Sequence, residues 1–368
     1  MNKKVVIKIG SSNLVKDGNV NIEKIKGLAD IIKVYNKKGY EFIIVSSGAV
    51  ALGRERIGLK NHILSINQKQ AMAAIGQPLL MKSYDDTFYE RGLYTAQILL
   101  TKEDLHNRKR YINSRDTIWE LLSNGVIPII NENDTVSTSE IKIGDNDNLS
   151  AMVAAATESD ILIILSDIDG LYDKNPKEYS DALLIKEVKE ITEEIERNSG
   201  GSGSKVGTGG MITKIQAAKL CMKFGVEMYI INGNNLENIE MILEEKGAGT
   251  KFFPEKTNIS RKKMWIAFGL KAKGKIVVDK GAEKALNSGK SLLAKGVIEC
   301  EGQFKSGDMI IVYSEDGEEI ARGLTGYGFE EMEKIKRKSS DEIDKILGLH
   351  GTKEVIHRDE MYLAEGEN

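Results

Sequence analysis

The sequence predicts an α/β protein with a mostly parallel sheet sandwiched by helices (the amino-terminal part), followed by a second, small β-rich barrel domain. Three observations predict this. The chain has 368 residues, enough for about two domains. Short β-rich runs alternate with longer helical patterns as far as residue 253, which is typical of a parallel sheet covered by helices. Beyond Pro254 the runs become short and are separated by turns.

Apolar spacing places the elements of the first domain. The helical segments carry apolar stripes, clearest in Met211, Ile215 and Met222. In such sheets ligands bind beyond the carboxyl ends of the strands, so the loops there are the candidate sites. The predicted strands are Val5–Ile9, Glu41–Val45, Thr95–Leu100, Val126–Ile130, Ile161–Leu165 and Glu227–Ile231. The predicted helices are Ile22–Lys37, Ile66–Tyr89, Tyr111–Ser123, Leu149–Ala156 and Met211–Phe224.

The remaining chain is divided by its composition. Residues 1–253 are assigned to the α/β domain, 254–273 to a linker that begins with the polar residues 254–264, 274–352 to the β-rich domain and 353–368 to a C-terminal tail. Turn sequences such as Ser306-Gly307-Asp308 separate the short strands of the β-rich domain. Those strands are predicted at Lys275–Val278, Gly296–Glu299, Met309–Tyr313 and Glu319–Ala321.

Composition argues against several classes of protein. A net charge of −3 does not favour broad nucleic-acid affinity. The sequence shows no apolar run near the roughly 20 residues of a membrane helix, and its start lacks the apolar stretch of a signal peptide. Cys221 and Cys300 lie far apart, and the four histidines are scattered, so neither predicts a metal centre. We therefore expect a cytoplasmic protein without a metal centre built from histidines or cysteines, with Mg²⁺ expected mainly on a bound nucleotide if one binds.

A lysine interrupts the first apolar run, Val5–Ile9. A buried ammonium is costly unless an anion meets it, so Lys8 predicts either an edge strand open to solvent or an anionic ligand. The turn that follows, Gly10-Ser11-Ser12, can bring amides and hydroxyls to the same anion. A second such turn, Ser46-Ser47-Gly48, opens the helix after Glu41–Val45. An ordinary N-cap explains that turn as well as a bound carboxylate or phosphate does.

Acids and amides crowd the segment after the strand Val126–Ile130. Asn131 and Asp134 follow that strand directly, and Asn146 and Asp147 lie in a second cluster that opens an alanine-rich helix. Such side chains bind an α-amino group, a metal ion or polar substrate groups, although turns and N-caps also favour them. Two such clusters so close together favour a functional interpretation.

A glycine-rich loop enters the helix that carries Lys214. Backbone N–H groups at this terminus favour phosphate, and a lysine early in a helix needs an anion to offset the helix dipole. The alternative is a surface loop before an ordinary helix. Common nucleotide signatures fail elsewhere: Ser288-Gly289-Lys290-Ser291 ends like a Walker A motif, but Lys284 stands where its first glycine belongs.

In their order along the chain, these motifs resemble the amino acid kinase family. The segments concerned are VVIKIGSS (5–12), VSSGAV (45–50), NENDTVSTSEIKIGDNDNLSA (131–151), LSDIDGLY (165–172) and GTGGMITK (207–214). The paired NEND and GDNDN motifs are most similar to the family members that phosphorylate L-glutamate. Residues 275–328 resemble a PUA domain, through VVDKGAEKAL, GKSLLAKGV, FKSGDMIIV and EIARG. Ser46 and Ser166 depart from the family pattern, since threonine is common at both positions.

The resemblance implies a transferase that moves the γ-phosphoryl group of ATP to the side-chain carboxylate of L-glutamate, in the first step of proline biosynthesis. It implies a catalytic role for Lys8, Lys214 and Asp147, with Asp147 organising the two lysines. Glutamate binding is implied for Ser47, Asp134 and Asn146, with Asn131 nearby. ATP binding, with Mg²⁺ on the phosphates, is implied for Lys8, Gly10, Ser166, Asp167, Thr208, Gly209, Gly210, Met211, Ile212, Thr213 and Lys214.

The resemblance also implies a homo-oligomer (dimer or tetramer), feedback inhibition by proline, and handover of the labile acyl phosphate to glutamyl phosphate reductase. Three alternatives stay open: a family member acting on aspartate, N-acetylglutamate, carbamate or a nucleoside monophosphate; an RNA-binding PUA protein; and a sensor without catalysis. Residues 274–352 hold 12 lysines and arginines against 15 acids, which does not favour RNA. Both lysines and Asp147 are kept, which a pure sensor would not need.

Overall fold

The computed structural model describes residues 2–59, 64–136, 146–199, 210–256, 259–348 and 354–364. The chain forms two compact units, one made of residues 1–104 and 112–256 and the other of residues 105–111 and 257–368. Among the described residues, no helix combines the length and the apolar character needed to cross a bilayer.

The first unit has the predicted alternation of strands and helices, and the ends of the predicted elements move by at most three residues. The strands are β1 Lys3–Ile9, β2 Val15–Lys16, β3 Asn19–Val20, β4 Tyr40–Val45, β5 Tyr94–Leu100, β6 Val126–Glu132, β7 Ile161–Ser166, β8 Leu171–Tyr172, β9 Leu184–Ile185, β10 Glu187–Val188, β11 Glu227–Asn232 and β12 Thr250–Phe252. The helices up to residue 243 are α1 Ser11–Leu14, α2 Ile22–Asn36, α3 Ala49–Arg56, α4 Ile66–Tyr89, α5 Lys102–His106, α6 Arg108–Ser123, α7 Asn146–Ala156, α8 Glu193–Ser199, α9 Met211–Lys223 and α10 Glu237–Leu243.

An eight-stranded sheet forms the centre of this unit, with the strand order β10-β12-β11-β7-β1-β4-β6-β5. Only the β11–β12 pair among these neighbours is antiparallel, so the predicted mostly parallel sheet is confirmed. β1 lies inside the sheet, where Lys8 pairs in register with Val45 of β4 and Ile164 of β7. Lys8 is therefore on a central strand, and the edge-strand alternative is wrong.

The side chains of β1 point alternately to the two faces of the sheet, and only one of these faces packs against the apolar core. Val5, Ile7 and Ile9 belong to an apolar cluster that also contains buried residues of α2 and α4. Because successive side chains of a strand point to opposite faces, Lys8 projects to the face opposite this cluster. The apolar residues on either side of Lys8 thus hold its strand in place, while its ammonium is left to the other face.

Helices α3 and α4 cross at two glycines whose backbones touch the partner helix. A Cβ atom added to Gly53 would lie 1.9 Å from the carbonyl oxygen of Met72, and one added to Gly76 would lie 1.8 Å from that of Ala49. Neither position has room for a side chain, because backbone atoms cannot yield as a flexible side chain does. This crossing fixes the position of the α4 residues around Gly76 relative to the start of α3, beside the turn Ser46-Ser47-Gly48.

We expect Gly76→Ala to lower the free energy of unfolding by about 3 kcal/mol, since overpacking against backbone forces the two helices apart. Urea denaturation followed by circular dichroism measures this. Ala74→Ser, at an exposed position of the same helix, is the control and should stay within about 0.5 kcal/mol of the wild type. A Gly76→Ala protein as stable as the wild type would contradict the close crossing.

The second unit contains a six-stranded sheet with the order β14-β18-β17-β16-β13-β15, and it confirms the predicted small β-rich domain. Its sheet packs on an apolar cluster that includes Ile276, Val312 and Tyr327. The strands are β13 Gly274–Val278, β14 Leu292–Leu293, β15 Val297–Gly302, β16 Met309–Tyr313, β17 Glu319–Thr325 and β18 Glu354–Leu363. The helices are α11 Arg261–Met264, α12 Lys280–Asn287, α13 Phe329–Ile335 and α14 Ser340–Leu347, with a π-helical turn at Trp265–Gly269 and a 3₁₀ turn at Ala294–Gly296.

Two stretches of this unit differ from the sequence-based assignment. The segment expected to be a linker contains α11 and the π-helical turn, and Trp265 stacks on Tyr111 with ring centroids 4.3 Å apart. The stretch expected to be a tail contains β18, which pairs with β17 and β14. In the first stretch the polar residues 254–263 precede an apolar run, of which Met264, Trp265 and Ile266 are buried. In the second stretch the buried Ile356 and Met361 of β18 are separated by exposed charged residues.

Candidate active site

Two lysines from distant parts of the chain meet one carboxylate. Lys8 Nζ lies 2.6 Å from Asp147 Oδ1, and Lys214 Nζ lies 3.1 Å from Asp147 Oδ2. Lys8, Asp147 and Lys214 are 7%, 1% and 7% exposed. The hydroxyl of Thr213 also donates a hydrogen bond to Asp147 Oδ2, at 2.7 Å. We call these four residues the lysine–aspartate cluster.

Each member of the lysine–aspartate cluster is placed by a regular element. Lys8 extends from the central strand β1. Asp147 lies in the first turn of α7, where the helix dipole favours a negative charge. Lys214 lies in the first turns of α9, whose N-cap is Gly210. The elements therefore bring two ammonium groups and one carboxylate together at the carboxyl edge of the sheet, with a formal charge of +1.

The pKa of Asp147 reflects two opposing effects. Burial acts to raise it, but the charges of Lys8 and Lys214 and the hydrogen bonds from Lys8 and Thr213 outweigh burial, so that the pKa lies below its usual value. The carboxylate therefore stays ionised at neutral pH and keeps both amines at fixed distances.

Gly10 keeps one side of the Lys8 ammonium clear. A Cβ atom at this position would lie 3.6 Å from Lys8 Nζ, in van der Waals contact with it. Any larger side chain would extend into the space beside the amine. This accounts for a glycine directly after β1, where an anion approaching the amine needs room.

A second group of residues adjoins this cluster. We call it the amide relay, and it consists of Ser46, Ser47, Gln77, Asn131 and Asn146. Its centre is Asn146, whose Nδ2 lies within hydrogen-bond distance of Ser46 O (2.6 Å), Ser47 Oγ (2.8 Å) and Asn131 Oδ1 (2.9 Å). Asn131 Nδ2 in turn donates to Oε1 of Gln77 on α4, at 2.8 Å. Because Asn146 precedes Asp147 in the chain, the amide relay and the lysine–aspartate cluster meet at the start of α7.

Asp134 is buried two residues beyond β6. Its Oδ1 atom has no hydrogen-bond partner among the described residues. Burial raises the pKa of this carboxyl group to about 6. A buried carboxylate held at such a cost is expected to have a positively charged or donating ligand.

The raised pKa of Asp134 predicts how the free energy of unfolding depends on pH. The ordinary value is 3.8, so the stabilising contribution of this group is fully present below about pH 3.8 and is lost as the pH rises through about 6. At pH 7 we therefore expect Asp134→Asn to raise the free energy of unfolding by about 2–3 kcal/mol, and at pH 4 by much less. Urea denaturation at both pH values measures this. The exposed Asp167→Asn is the control, and an Asp134→Asn protein less stable than the wild type at pH 7 would refute it.

The structure places the other sequence-predicted residues around these two groups. Ser166 is buried at the end of β7, where its carbonyl oxygen accepts a hydrogen bond from Asn13 Nδ2 at 3.4 Å. Asp167 is exposed, with Oδ2 3.9 Å from Lys177 Nζ. Gly210, Met211 and Ile212 form the start of α9 together with Thr213. Thr208 and Gly209 lie outside the described residues.

Sequence reasoning missed the contribution of α4. Gln77 and Tyr84 are buried on the same face of this helix, seven residues apart, and the Tyr84 hydroxyl lies 3.2 Å from Ser46 Oγ. A signal was present: Gln77 is a polar residue in an apolar stripe, flanked by Gly76 and Pro78, which both disfavour a helix interior.

Metal ions in proteins are held by carboxylate, imidazole or thiolate side chains that converge on one point. Among the residues that the structure describes, no group of three or more histidine, cysteine, aspartate or glutamate side chains could hold a metal ion. Asp147, the acid at the centre of the site, is occupied by two lysines.

Comparison with known proteins covers nearly the whole chain. A model of the amino acid kinase family matches residues 3–232, and a model of the PUA domain matches residues 274–347. The chain is 48% identical over 364 residues to the glutamate 5-kinases of Caldanaerobacter subterraneus subsp. tengcongensis and of Thermoanaerobacter sp. (strain X514), with 98% of both chains covered in each case. It is 47% identical over 363 residues to the glutamate 5-kinase of Trichlorobacter lovleyi, which covers 98% of this chain and 96% of the relative.

Proposed function

Since this chain belongs to the amino acid kinase family, we propose that it transfers the γ-phosphoryl group of ATP to the side-chain carboxylate of L-glutamate. The product is L-glutamyl 5-phosphate, in the first step of proline biosynthesis. The observation that carries the proposal is the convergence of Lys8 and Lys214 on Asp147, directly beside the amide relay. The names of the relatives, at 47–48% identity, support the choice of substrate.

The nucleophile needs no general base. A glutamate side chain has a reference pKa of about 4.3, so its carboxylate is already ionised at neutral pH. One carboxylate oxygen forms a bond to the γ-phosphorus atom while the bond to the bridging oxygen breaks, and ADP leaves with that electron pair. The barrier is the approach of an anion to a polyanion, so positioning and positive charge supply most of the catalysis.

Lys8 and Lys214 supply that positive charge. Both amines contact the two oxygens of the same Asp147 carboxylate, so both are held near one point before the substrates bind. Charges fixed in advance need no reorganisation during the reaction, which is what makes them effective. Asp147 thus acts as the group that orients the two lysines, and the lysines contact the phosphoryl group in transit.

Glutamate is proposed to bind at the amide relay. Asn146 contacts both Ser47 and Asn131 there, and the buried carboxylate of Asp134 suits an α-ammonium group. This arrangement would hold the backbone end of glutamate away from the lysines and direct its side-chain carboxylate toward them.

ATP is proposed to bind along the carboxyl ends of β1 and β7 and the start of α9. The N-terminus of α9, with Gly210 and Thr213, favours the phosphates. Gly10 leaves space beside Lys8, and Ser166, Asp167, Met211 and Ile212 would flank the rest of the nucleotide. The sequence motif GTGGMITK (207–214) also assigns Thr208 and Gly209 to ATP binding. Mg²⁺, when bound to the phosphates, supplies further positive charge there.

One assay tests the proposal. Purified protein is incubated with MgATP, hydroxylamine and a single acceptor, since hydroxylamine traps an acyl phosphate as a coloured hydroxamate. We expect hydroxamate and ADP with L-glutamate, and little of either with aspartate, N-acetylglutamate or carbamate. Faster turnover of another acceptor would reject glutamate as the substrate.

The proposed partners follow the same family. We propose a cytoplasmic homo-oligomer that is inhibited by proline at the glutamate pocket and passes its acyl phosphate to glutamyl phosphate reductase. Light scattering measures the oligomeric state, and glutamate titrations at fixed proline concentrations measure the inhibition. Proline inhibition that glutamate does not relieve would place the inhibitor elsewhere.

A further inference from the structure

Backbone groups determine which atom of each side-chain amide in the amide relay is the oxygen and which is the nitrogen. The N–H of Glu132 lies 2.9 Å from Asn131 Oδ1 and can only donate, so this atom of Asn131 must be the oxygen. The carbonyl of Ser46 lies 2.6 Å from Asn146 Nδ2 and can only accept, so this atom of Asn146 must be the nitrogen. The two amides therefore cannot exchange oxygen and nitrogen without leaving a buried backbone group unpaired.

Because the orientation of the Asn131 amide is fixed, Gln77 can only act as the hydrogen-bond acceptor for Asn131. With its oxygen facing Glu132 and Asn146, Asn131 presents Nδ2 to helix α4, where Gln77 Oε1 accepts at 2.8 Å. Gln77 and Asn131 are both buried, so no water replaces this acceptor without cost. Loss of the acceptor would leave the Asn131 donor unsatisfied, and a shift of the amide toward another acceptor would weaken the contacts of its oxygen with the Glu132 N–H and with Asn146.

Two buried acceptor atoms lie on or near the relay in the sequence: one on Asn146 itself and one on Asp134, three residues after Asn131. Asn146 Oδ1 and Asp134 Oδ1 are both buried, and neither has a hydrogen-bond partner among the described residues. Two unpartnered acceptors, one of them on a carboxylate, suit a ligand group that only donates. An alkylammonium group has three donors and no acceptor, so it matches them.

We propose that Gln77 is a positioning residue that, through Asn131, holds Asn146 with its oxygen toward the amino group of the substrate. Gln77 thereby determines selectivity for an α-amino acid over the same dicarboxylate without its amino group. The inference rests on the proposed function, because it takes the substrate to be glutamate. The crossing of α3 and α4 at Gly76 fixes the adjacent Gln77 in depth, so that its side chain reaches Asn131.

The test compares two ligands in two proteins. Dissociation constants for L-glutamate and for glutarate, which lacks the amino group, are measured calorimetrically with wild type and Gln77→Met. We expect the wild type to prefer glutamate, and Gln77→Met to reduce the ratio of the two constants about five- to tenfold, chiefly through weaker glutamate binding. Both ligands titrate the same folded molecules, so partial unfolding does not change the ratio. Gln97→Met, at an exposed position of β5, is the matched control.

Four outcomes would overturn the inference. Equal weakening of both ligands by Gln77→Met, or no weakening of either, overturns it, as does a wild type that binds glutarate as tightly as glutamate. Gln77→Glu keeps an acceptor oxygen for Asn131 and is expected to keep the preference; its loss there would also overturn the inference. The hydroxamate assay on the wild type is independent, so failure of the proposed function is seen separately from failure of the Gln77 role.

Discussion

Lys8→Ala is expected to lower kcat at least about a hundredfold while the protein stays folded. The lysine–aspartate cluster contributes two amines to one moving phosphoryl group, and loss of one such contact costs roughly 3–4 kcal/mol in the transition state, by analogy with loss of one oxyanion-hole donor. The fold is expected to survive, because Asp147 keeps its ion pair with Lys214 at 3.1 Å. The measurement is kcat in the hydroxamate assay, with thermal unfolding recorded on the same sample.

Lys3→Ala is the matched control for Lys8→Ala. Lys3 lies on the same strand but is exposed and pairs with Glu245 at the surface, so kcat should stay within about twofold of the wild type. A Lys8→Ala protein that turns over at near-normal speed would disprove the charge-based mechanism. A loss of activity fully accounted for by loss of folded protein would do the same.

Asp147→Asn is expected to lower the free energy of unfolding by about 3–5 kcal/mol. Removing one partner of a buried ion pair leaves the other charge without compensation, and here it affects two ammonium groups at once. The phosphates of ATP bring negative charge to the same place. We therefore expect the variant to gain more in Tm than the wild type does when saturated with ATP.

Urea denaturation and thermal unfolding with and without ATP test the Asp147→Asn prediction. Asp181→Asn is a suitable control, since Asp181 also pairs with a lysine at 2.6 Å but at an exposed position, and should cost less than about 1 kcal/mol. An Asp147→Asn protein as stable as the wild type would mean that the two amines are satisfied without this carboxylate. An equal gain in Tm from ATP in both proteins would show that the ATP phosphates do not bind beside the two amines of the lysine–aspartate cluster.

Much of the first unit could be predicted because its signals are local. Apolar runs and helical stripes locate β1, β4, β6, β7 and α9 within a few residues. The loop residues were also found, since the carboxyl ends of parallel strands lie at one edge of a sheet. Residue types and order pointed to Lys8 and Lys214, and the resemblance to the amino acid kinase family pointed to Asp147.

The contacts themselves could not be predicted, because they depend on register and on packing between distant segments. Neither the spacing of Gln77 nor its chemistry reveals that it faces Asn131, 54 positions away. The depth of α4 follows from the two glycines at its crossing with α3, and each of these reads in isolation as a poor helix residue. The strand β18 was not predicted, because its buried residues are interspersed with exposed charged ones.

The short segment 105–111 belongs to the second unit although it is encoded within the first. The backbone therefore passes from one unit to the other at three places, between residues 104 and 105, 111 and 112, and 256 and 257. Cutting the chain after residue 256 would take away Trp265 and Gly269, the partners of Tyr111 and His106. A shortened protein would thus keep the end of α5 and the start of α6 without the stacking partner of Tyr111 and the hydrogen-bond partner of His106.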